Sequence, residues 1–302
     1  MEFEVLDTIL SYEKIATEMN VEKKQEIYYQ ELVKPFEGMF RMFGAQPDAS
    51  GKIDATSLLN MWAYLGPGQI DENILDTLRF VKKYDPASTM AKTLERAWGM
   101  FEGYEHRIPI KRVVAGFFLQ DQTRMNPITG DYTGFGAIPG YVTLNYFVPN
   151  EQNMSMVAST LAHELCHGIC SSVAPAGFGD PRNLSVDRMV IGEGLAESFA
   201  VELCGRDKLV FCVKNFDLRE LPRVKNIIKE GLNLKGFENM QRYVFGNIPG
   251  VVDDKGLGLP PHSGYAVGYY AVQAYMERTG KSIVETIFTP AEEIVRESKF
   301  FD

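Results

Sequence analysis

The sequence has little of what marks several large classes of protein. Four cysteines in 302 residues are too few for a disulfide scaffold. The spacing of Cys166, Cys170, Cys204 and Cys212 fits neither a CxxC zinc site nor a redox pair. The longest apolar run, residues 113–119, is far shorter than the roughly 20 residues that a membrane helix needs. Hydrophobic residues make up 45% and charged residues 24%, so the composition is that of a globular protein and not of a disordered chain.

Positive charge is also scarce. The chain has 31 Lys and Arg against 40 Asp and Glu, which gives a formal net charge of −9. Because non-specific nucleic-acid binding depends on cationic side chains that neutralise phosphates, this balance argues against a nucleic-acid partner. The chain begins with Met-Glu-Phe-Glu, which is acidic where a secretory signal is basic. We therefore expect a cytoplasmic protein with neither a nucleic acid nor a membrane as its partner; the sequence leaves the oligomeric state open.

Hydrophobic periodicity divides the chain into a helical first part and a mixed second part. Residues 1–105 carry apolar side chains three and four positions apart, which predicts a helical N-terminal region. Runs rich in Val, Ile and Phe at 108–120 and 141–147 predict two strands, and the chain after 154 is mostly helical again. We therefore predict an α+β, mostly helical fold with two regions, 1–105 and 106–302, which can also pack as one unit.

A glycine-rich stretch at 134–140 superficially resembles a phosphate loop. It lacks the G-x-G-x-x-G spacing, because Pro139 occupies the position of the third glycine, and the residues after it predict a strand instead of a helix. We interpret it as a loop. In the strand that follows, alternation places Asn145 on one face, where it is a candidate for contact with a substrate.

The most informative segment is His163-Glu164-Leu-Cys-His167, an H-E-x-x-H motif within a helix predicted over 154–172. One helical turn separates the two histidines, so they project from the same side with Glu164 beside them. Two neutral imidazoles in this arrangement can share a zinc ion. The alternative is a pair of histidines satisfied by hydrogen bonds in a core. Cys166 and Cys170 of the same helix remain open as thiol ligands, although we interpret them as small buried side chains.

A third ligand is expected, because a catalytic zinc takes three protein ligands and leaves its fourth position to water. The next predicted helix, over 185–203, carries two glutamates one turn apart, and a loop over 174–183 lets the chain return to the metal helix. We assign Glu193 as the third ligand and Glu197 as the acceptor that holds the other N–H of a histidine ligand. The alternative is that both glutamates are surface carboxylates.

Two glycines flank Glu193. Gly192 and Gly194 each cost about 1 kcal/mol of helix stability relative to Ala. We expect their small size to allow this helix to approach the metal helix closely.

The H-E-x-x-H motif followed by a glutamate in a G-E-G-L-A-E context resembles the gluzincin metallopeptidases, which include thermolysin and the alanyl-aminopeptidase type. It resembles still more a bacterial family of predicted zinc-dependent proteases. The resemblance covers roughly residues 113–275 and is carried by short motifs. It implies a zincin-like core, with the metal helix packed under a small twisted sheet, and helical N-terminal and C-terminal parts. It further implies one zinc ion per chain bound by His163, His167 and Glu193, with Glu164 as general base and Glu197 behind a histidine ligand.

The function that these residues predict is a zinc-dependent peptidase acting on a peptide or protein substrate, with metal-activated water and Glu164 as general base. Aminopeptidases of this group carry a G-x-M-E-N stretch whose glutamate binds the free amine of the substrate. The comparable stretch at 136–140 has no glutamate, which favours an endopeptidase over an aminopeptidase. Two alternatives stay open: a zinc hydrolase of a non-peptide amide, and a catalytically silent zincin-fold binding or regulatory protein.

A later segment, Pro260-Pro261-His262-Ser263-Gly264-Tyr265, offers donors for the oxyanion that forms during peptide hydrolysis. The prolines disfavour helix before it, and Ser263 can cap a helix after it. We predict Tyr265 as the donor, with His262 as a second donor or its substitute, and we expect Gly264 and Gly268 to leave that face open to substrate. The alternative is a packing helix with an incidental histidine.

Overall fold

The structure is a computed structural model that describes residues 1–126, 130–173 and 184–302, so the loop predicted over 174–183 lies outside the described residues. The described strands are β1 (Glu2–Leu6), β2 (Arg112–Leu119), β3 (Tyr132–Phe135) and β4 (Tyr141–Tyr146). The α-helices between β1 and β2 are α1 (Thr8–Thr17), α2 (Val21–Tyr28), α3 (Glu37–Met42), α4 (Thr56–Met61), α5 (Leu75–Lys82) and α6 (Pro86–Gly99). Those after β4 are α7 (Glu151–Met154), α8 (Val157–Val173), α9 (Val186–Cys204), α10 (Phe211–Lys214), α11 (Leu221–Gly231), α12 (Phe237–Met240), α13 (Ser263–Thr279), α14 (Ile283–Ile287) and α15 (Ala291–Ser298). The predicted α+β, mostly helical fold is confirmed.

The four strands form one mixed sheet in the order β1-β2-β4-β3. β1 and β4 each pair with β2 in parallel, and β3 pairs with β4 antiparallel. Strand β1 was not predicted, because it is short and two of its five residues are glutamates, Glu2 and Glu4. Its extended conformation depends on pairing with β2, more than a hundred residues along the chain, with Glu2 opposite Arg112.

The chain divides into two compact units. The first unit comprises residues 1–95 and 111–161, and the second comprises residues 96–110 and 162–302. This division differs from the predicted boundary between 105 and 106. The pairing of β1 with β2 explains part of the difference, because it joins the first residues of the chain to the sheet.

The core of the first unit combines aromatic packing with a small buried polar cluster. The rings of Phe117 and Tyr146 lie 4.6 Å apart on neighbouring strands. Beside the sheet, the hydroxyl of Tyr64 donates to the amide oxygen of Asn145 over 2.8 Å and lies 3.0 Å from the hydroxyl of Thr143. Asn145, the candidate for substrate contact, is therefore buried and hydrogen-bonded within this unit.

In the second unit, α9 and α13 cross at glycines. A Cβ atom on Gly194 would collide with the backbone of Gly268, and a Cβ atom on Gly268 would collide with the carbonyl of Val190. A Cβ atom on Gly264 would collide with the backbone of Val244. Two expectations were therefore wrong: Gly194 allows α9 to approach α13 and not the metal helix, and Gly264 and Gly268 face packed backbone and not an open substrate surface.

Candidate metal centre

In the second unit, α9 and the part of α8 from Ala162 onward bring three potential metal ligands together. Helical geometry places His163 and His167 one turn apart on α8, and α9 presents Glu193 to both. The two Nε2 atoms lie 3.0 Å apart. Oε2 of Glu193 lies 3.2 Å from Nε2 of His163 and 3.3 Å from Nε2 of His167. Within the described residues, the group of side chains able to hold a metal ion consists of these three and includes no cysteine.

The donor set and its spacing fit zinc. Imidazole nitrogens and a carboxylate oxygen are ligands of catalytic zinc sites, and a tetrahedral ion with bonds of about 2.0–2.1 Å holds its donors about 3.3 Å apart. The three donor–donor distances, 3.0, 3.2 and 3.3 Å, are close to that spacing. The same three atoms converge from two helices, so a small cation can contact all of them at once.

A second glutamate holds the first histidine in place. Nδ1 of His163 lies 3.2 Å from Oε2 of Glu197, so the ring nitrogen that faces away from the donor triangle has a carboxylate acceptor. The backbone N–H of Val210 donates to the other oxygen of Glu197 over 2.7 Å. With both oxygens engaged, Glu197 fixes the ring orientation of His163, which is the arrangement expected behind a metal-binding histidine.

The site concentrates negative charge in a buried place. Glu164, Glu193 and Glu197 are all buried. Burial on its own would raise the pKa of Glu193, but the imidazoles of His167 and His163 outweigh it and lower that pKa to about 2. Burial likewise opposes the charged form of His163, yet its hydrogen bonds to Glu193 and Glu197 raise its pKa. Buried carboxylates are stable only when paired with positive charge; the imidazoles supply it here, and a divalent metal ion at the same point can take over this role.

Tyr265 of α13 lies beside this cluster. Burial raises the pKa of its phenol well above the usual value, and the carboxylates of Glu193 and Glu164 and the thiol of Cys212 raise it further. The phenol therefore keeps its proton and can donate it in a hydrogen bond. The structure thus brings Tyr265 close to both the third candidate ligand and the candidate base.

His262 has a different environment. It is the N-cap residue of α13 in a left-handed conformation with φ 56°, and its ring packs edge-on against Phe211 and Tyr265 at centroid distances of 5.7 Å. The predicted cap at Ser263 was wrong: the helix begins at Ser263, whose buried hydroxyl finds no hydrogen-bond partner among the described residues.

Two parts of the site were missed by the sequence analysis. In the segment that follows α9, the backbone N–H of Val210 donates to Glu197, and the carboxylate of Glu197 raises the pKa of the partly buried Cys212 thiol together with burial. A backbone N–H leaves no mark in a sequence, and Cys212 has no motif around it. The two thiols left open as ligands, Cys166 and Cys170, lie 3.9 Å apart and contact each other.

Comparison with known proteins agrees with this geometry. Residues 87–296 match the model of a family described as predicted Zn-dependent protease (DUF2268). The chain belongs to this family. An uncharacterized protein of Bacillus subtilis (strain 168), YjfC, is 30% identical over 299 residues, which cover 97% of each chain. No solved structure matches the chain.

The family membership confirms the resemblance found in the sequence, and its description agrees with the His-His-Glu group of α8 and α9. Within the matched residues lie all three donors, Glu164 and Tyr265. Among the described residues, no helix is both long enough and apolar enough to cross a membrane.

Proposed function

We propose that this protein is a zinc peptidase that binds one zinc ion per chain and hydrolyses peptide bonds in the cytoplasm. The observation that carries the proposal is the donor triangle of His163, His167 and Glu193 with an additional carboxylate, Glu164, next to the first histidine on the same helix. A site that only stored zinc would not need this additional carboxylate. A peptidase needs it as a base.

His163, His167 and Glu193 would hold the metal, and Glu197 would keep His163 oriented toward it. When bound there, zinc supplies a Lewis acid and lowers the pKa of a water molecule to about 7. Glu164 accepts the proton of the attacking water and later passes it to the leaving amine. Tyr265 donates a hydrogen bond to the oxygen that becomes negative during the attack, with His262 as a second donor.

The proposed substrate class rests on a carboxylate that is missing between β3 and β4. The stretch at 136–140 offers no carboxylate for the free amine of a peptide, so we propose an endopeptidase and not an aminopeptidase. Peptides and proteins are therefore the proposed partners.

The proposal is tested by removing only the base. Gln has the size and shape of Glu but cannot accept the proton, so Glu164→Gln should retain zinc while hydrolysis falls at least about 100-fold. The matched control is Glu202→Gln, the same change at an exposed glutamate of α9. The measurement is digestion of a peptide library by zinc-loaded protein, with and without a chelator, followed by mass spectrometry.

Three results would contradict the proposal. Equal turnover by wild type and Glu164→Gln would overturn the role of the base. Cleavage of non-peptide amides alone would identify a different zinc hydrolase, and zinc binding without turnover of any amide would identify a binding or regulatory protein.

A further inference from the structure

The second unit contains a cavity of about 560 Å³ whose wall includes His167. Among the described residues, the rest of the lining comes from Arg107, the end of α8, Leu184, the first half of α9 and the chain from Ile287 to Glu292. This volume lies within the range of about 300–1,000 Å³ that is typical of small-molecule binding pockets. Because the candidate metal ligand His167 lines the cavity, a group bound inside it would be held next to the metal centre.

The wall is mainly apolar. Met189 and Leu195 line it from α9, and Ile287 and Phe288 line it from the end of α14 and the residue that follows. An apolar wall favours an apolar guest, because binding removes hydrocarbon surface from water on both sides.

Two arginines also line the cavity. The guanidinium of Arg107 lies 4.0 Å from the ring centroid of Phe288, and Arg188 lines the wall from α9. In the described part of the chain, neither guanidinium forms an ion pair with a carboxylate. The carboxylate of Glu292 also lines the cavity and offsets one of these two positive charges. The remaining positive charge disfavours a lysine or arginine side chain, and the N–H groups of the arginines can donate to peptide carbonyl oxygens.

Gly192 is the feature of the wall that packing does not explain. The neighbouring Gly194 is required by the close crossing of α9 and α13, but a Cβ atom on Gly192 would meet no atom of the described residues within 4 Å. Gly192 lines the cavity in the interior of α9, where glycine lowers helix stability. A larger side chain at this position would have room, and the room that it would use is the cavity.

We propose that this cavity is the specificity pocket of the peptidase: it receives the large apolar side chain of the substrate residue next to the scissile bond, and Gly192 keeps it open. The inference rests on the proposed function and names its substrate class, which is peptides with phenylalanine or leucine at that position. Gly192 is a specificity-determining residue, and it takes no part in the chemical step.

The test compares peptides that differ at one position, which carries Phe, Leu, Ala or Lys. Because each methylene in an apolar pocket contributes about 10-fold or more to discrimination, wild type should cleave the Phe or Leu peptide at least about 10-fold better than the Ala peptide in kcat/KM. The Lys peptide should be the poorest. Gly192→Leu should lower kcat/KM for the Phe peptide at least about 10-fold and leave that for the Ala peptide within about threefold, with Gly192→Ala in between.

The matched control is Gly99→Leu, because Gly99 is exposed at the end of α6 and a Cβ atom there also meets no described atom within 4 Å. It should leave the preference unchanged. Zinc content is measured for every variant. If Gly192→Leu loses zinc, Met189→Trp fills the cavity from a half-buried position one helical turn earlier and should shift the preference in the same way.

A binding measurement separates the pocket from the chemistry. Fluorescence anisotropy measures the binding of labelled peptides to the zinc-loaded Glu164→Gln variant. The Phe peptide should bind at least about 10-fold more tightly than the Ala peptide. A double variant that also carries Gly192→Leu should bind the two peptides equally. Two results would overturn the specificity pocket and leave the proposed peptidase activity standing. One is an unchanged ratio of kcat/KM for the Phe and Ala peptides in active Gly192→Leu and Met189→Trp variants. The other is a wild-type preference for the Ala peptide. Absence of any peptide cleavage by zinc-loaded wild type would overturn the proposed function itself.

Discussion

Each unit of the molecule has a buried polar cluster, and the two clusters differ in kind. In the first unit the cluster is neutral, and the hydroxyl of Tyr64 is hydrogen-bonded to both Thr143 and Asn145. In the second unit the cluster is ionisable and includes Glu193, whose pKa is lowered to about 2. A neutral cluster whose members satisfy each other stabilises the fold, whereas buried charges that converge on a common point cost folding free energy. The ionisable cluster therefore indicates binding and chemistry.

The largest effect within this comparison is expected at Tyr265. Removing its hydroxyl in Tyr265→Phe should leave zinc bound while kcat falls about 10–1,000-fold with KM little changed, because the hydrogen bond forms only in the transition state. Steady-state kinetics on a cleaved peptide measures this, and Tyr270→Phe, on the same helix, is the control. Unaltered kcat in both Tyr265→Phe and His262→Ala would assign this segment a structural role only.

A smaller effect is expected at Glu197. Gln in its place keeps the shape but loses the negative charge behind His163, so Glu197→Gln should weaken zinc affinity about 10–100-fold. Competition with a chromophoric chelator measures the affinity, with Glu202→Gln as the matched control. Wild-type affinity in Glu197→Gln would mean that the contact with His163 does not support the metal.

The smallest effect on the metal site is expected from the neutral cluster. Tyr64→Phe leaves Thr143 and Asn145 without one partner and should lower the free energy of unfolding by about 1–3 kcal/mol. Zinc content should not change. Urea denaturation and elemental analysis together check this prediction, and loss of zinc in a folded Tyr64→Phe protein would show that the two clusters do not have separate roles.

The sequence alone predicted the parts of the site that depend on local periodicity. The helix that carries His163 and His167 extends over Val157–Val173 against a predicted 154–172, and the helix of Glu193 over Val186–Cys204 against 185–203. Helical spacing also places Glu197 on the same face as Glu193, which is why its contact with His163 could be anticipated.

The parts that depend on distant partners could not be predicted. Strand β1 becomes extended only by pairing with β2. Gly194 is needed because the backbone of Gly268, on another helix, leaves no room for a Cβ atom there. The difference between the two glycines beside Glu193 is equally invisible in the sequence. One faces a backbone and the other faces a cavity.

The most direct test of the central claim is the zinc content of the purified protein and of Glu193→Ala, measured by elemental analysis. The account predicts close to one zinc ion per wild-type chain and loss of most of it in Glu193→Ala, because the described residues offer no other donor that completes the triangle with His163 and His167. Folding of the variant is checked by circular dichroism. Wild-type protein that binds no zinc, or folded Glu193→Ala that retains all of it, would contradict the assignment of this cluster as a metal centre.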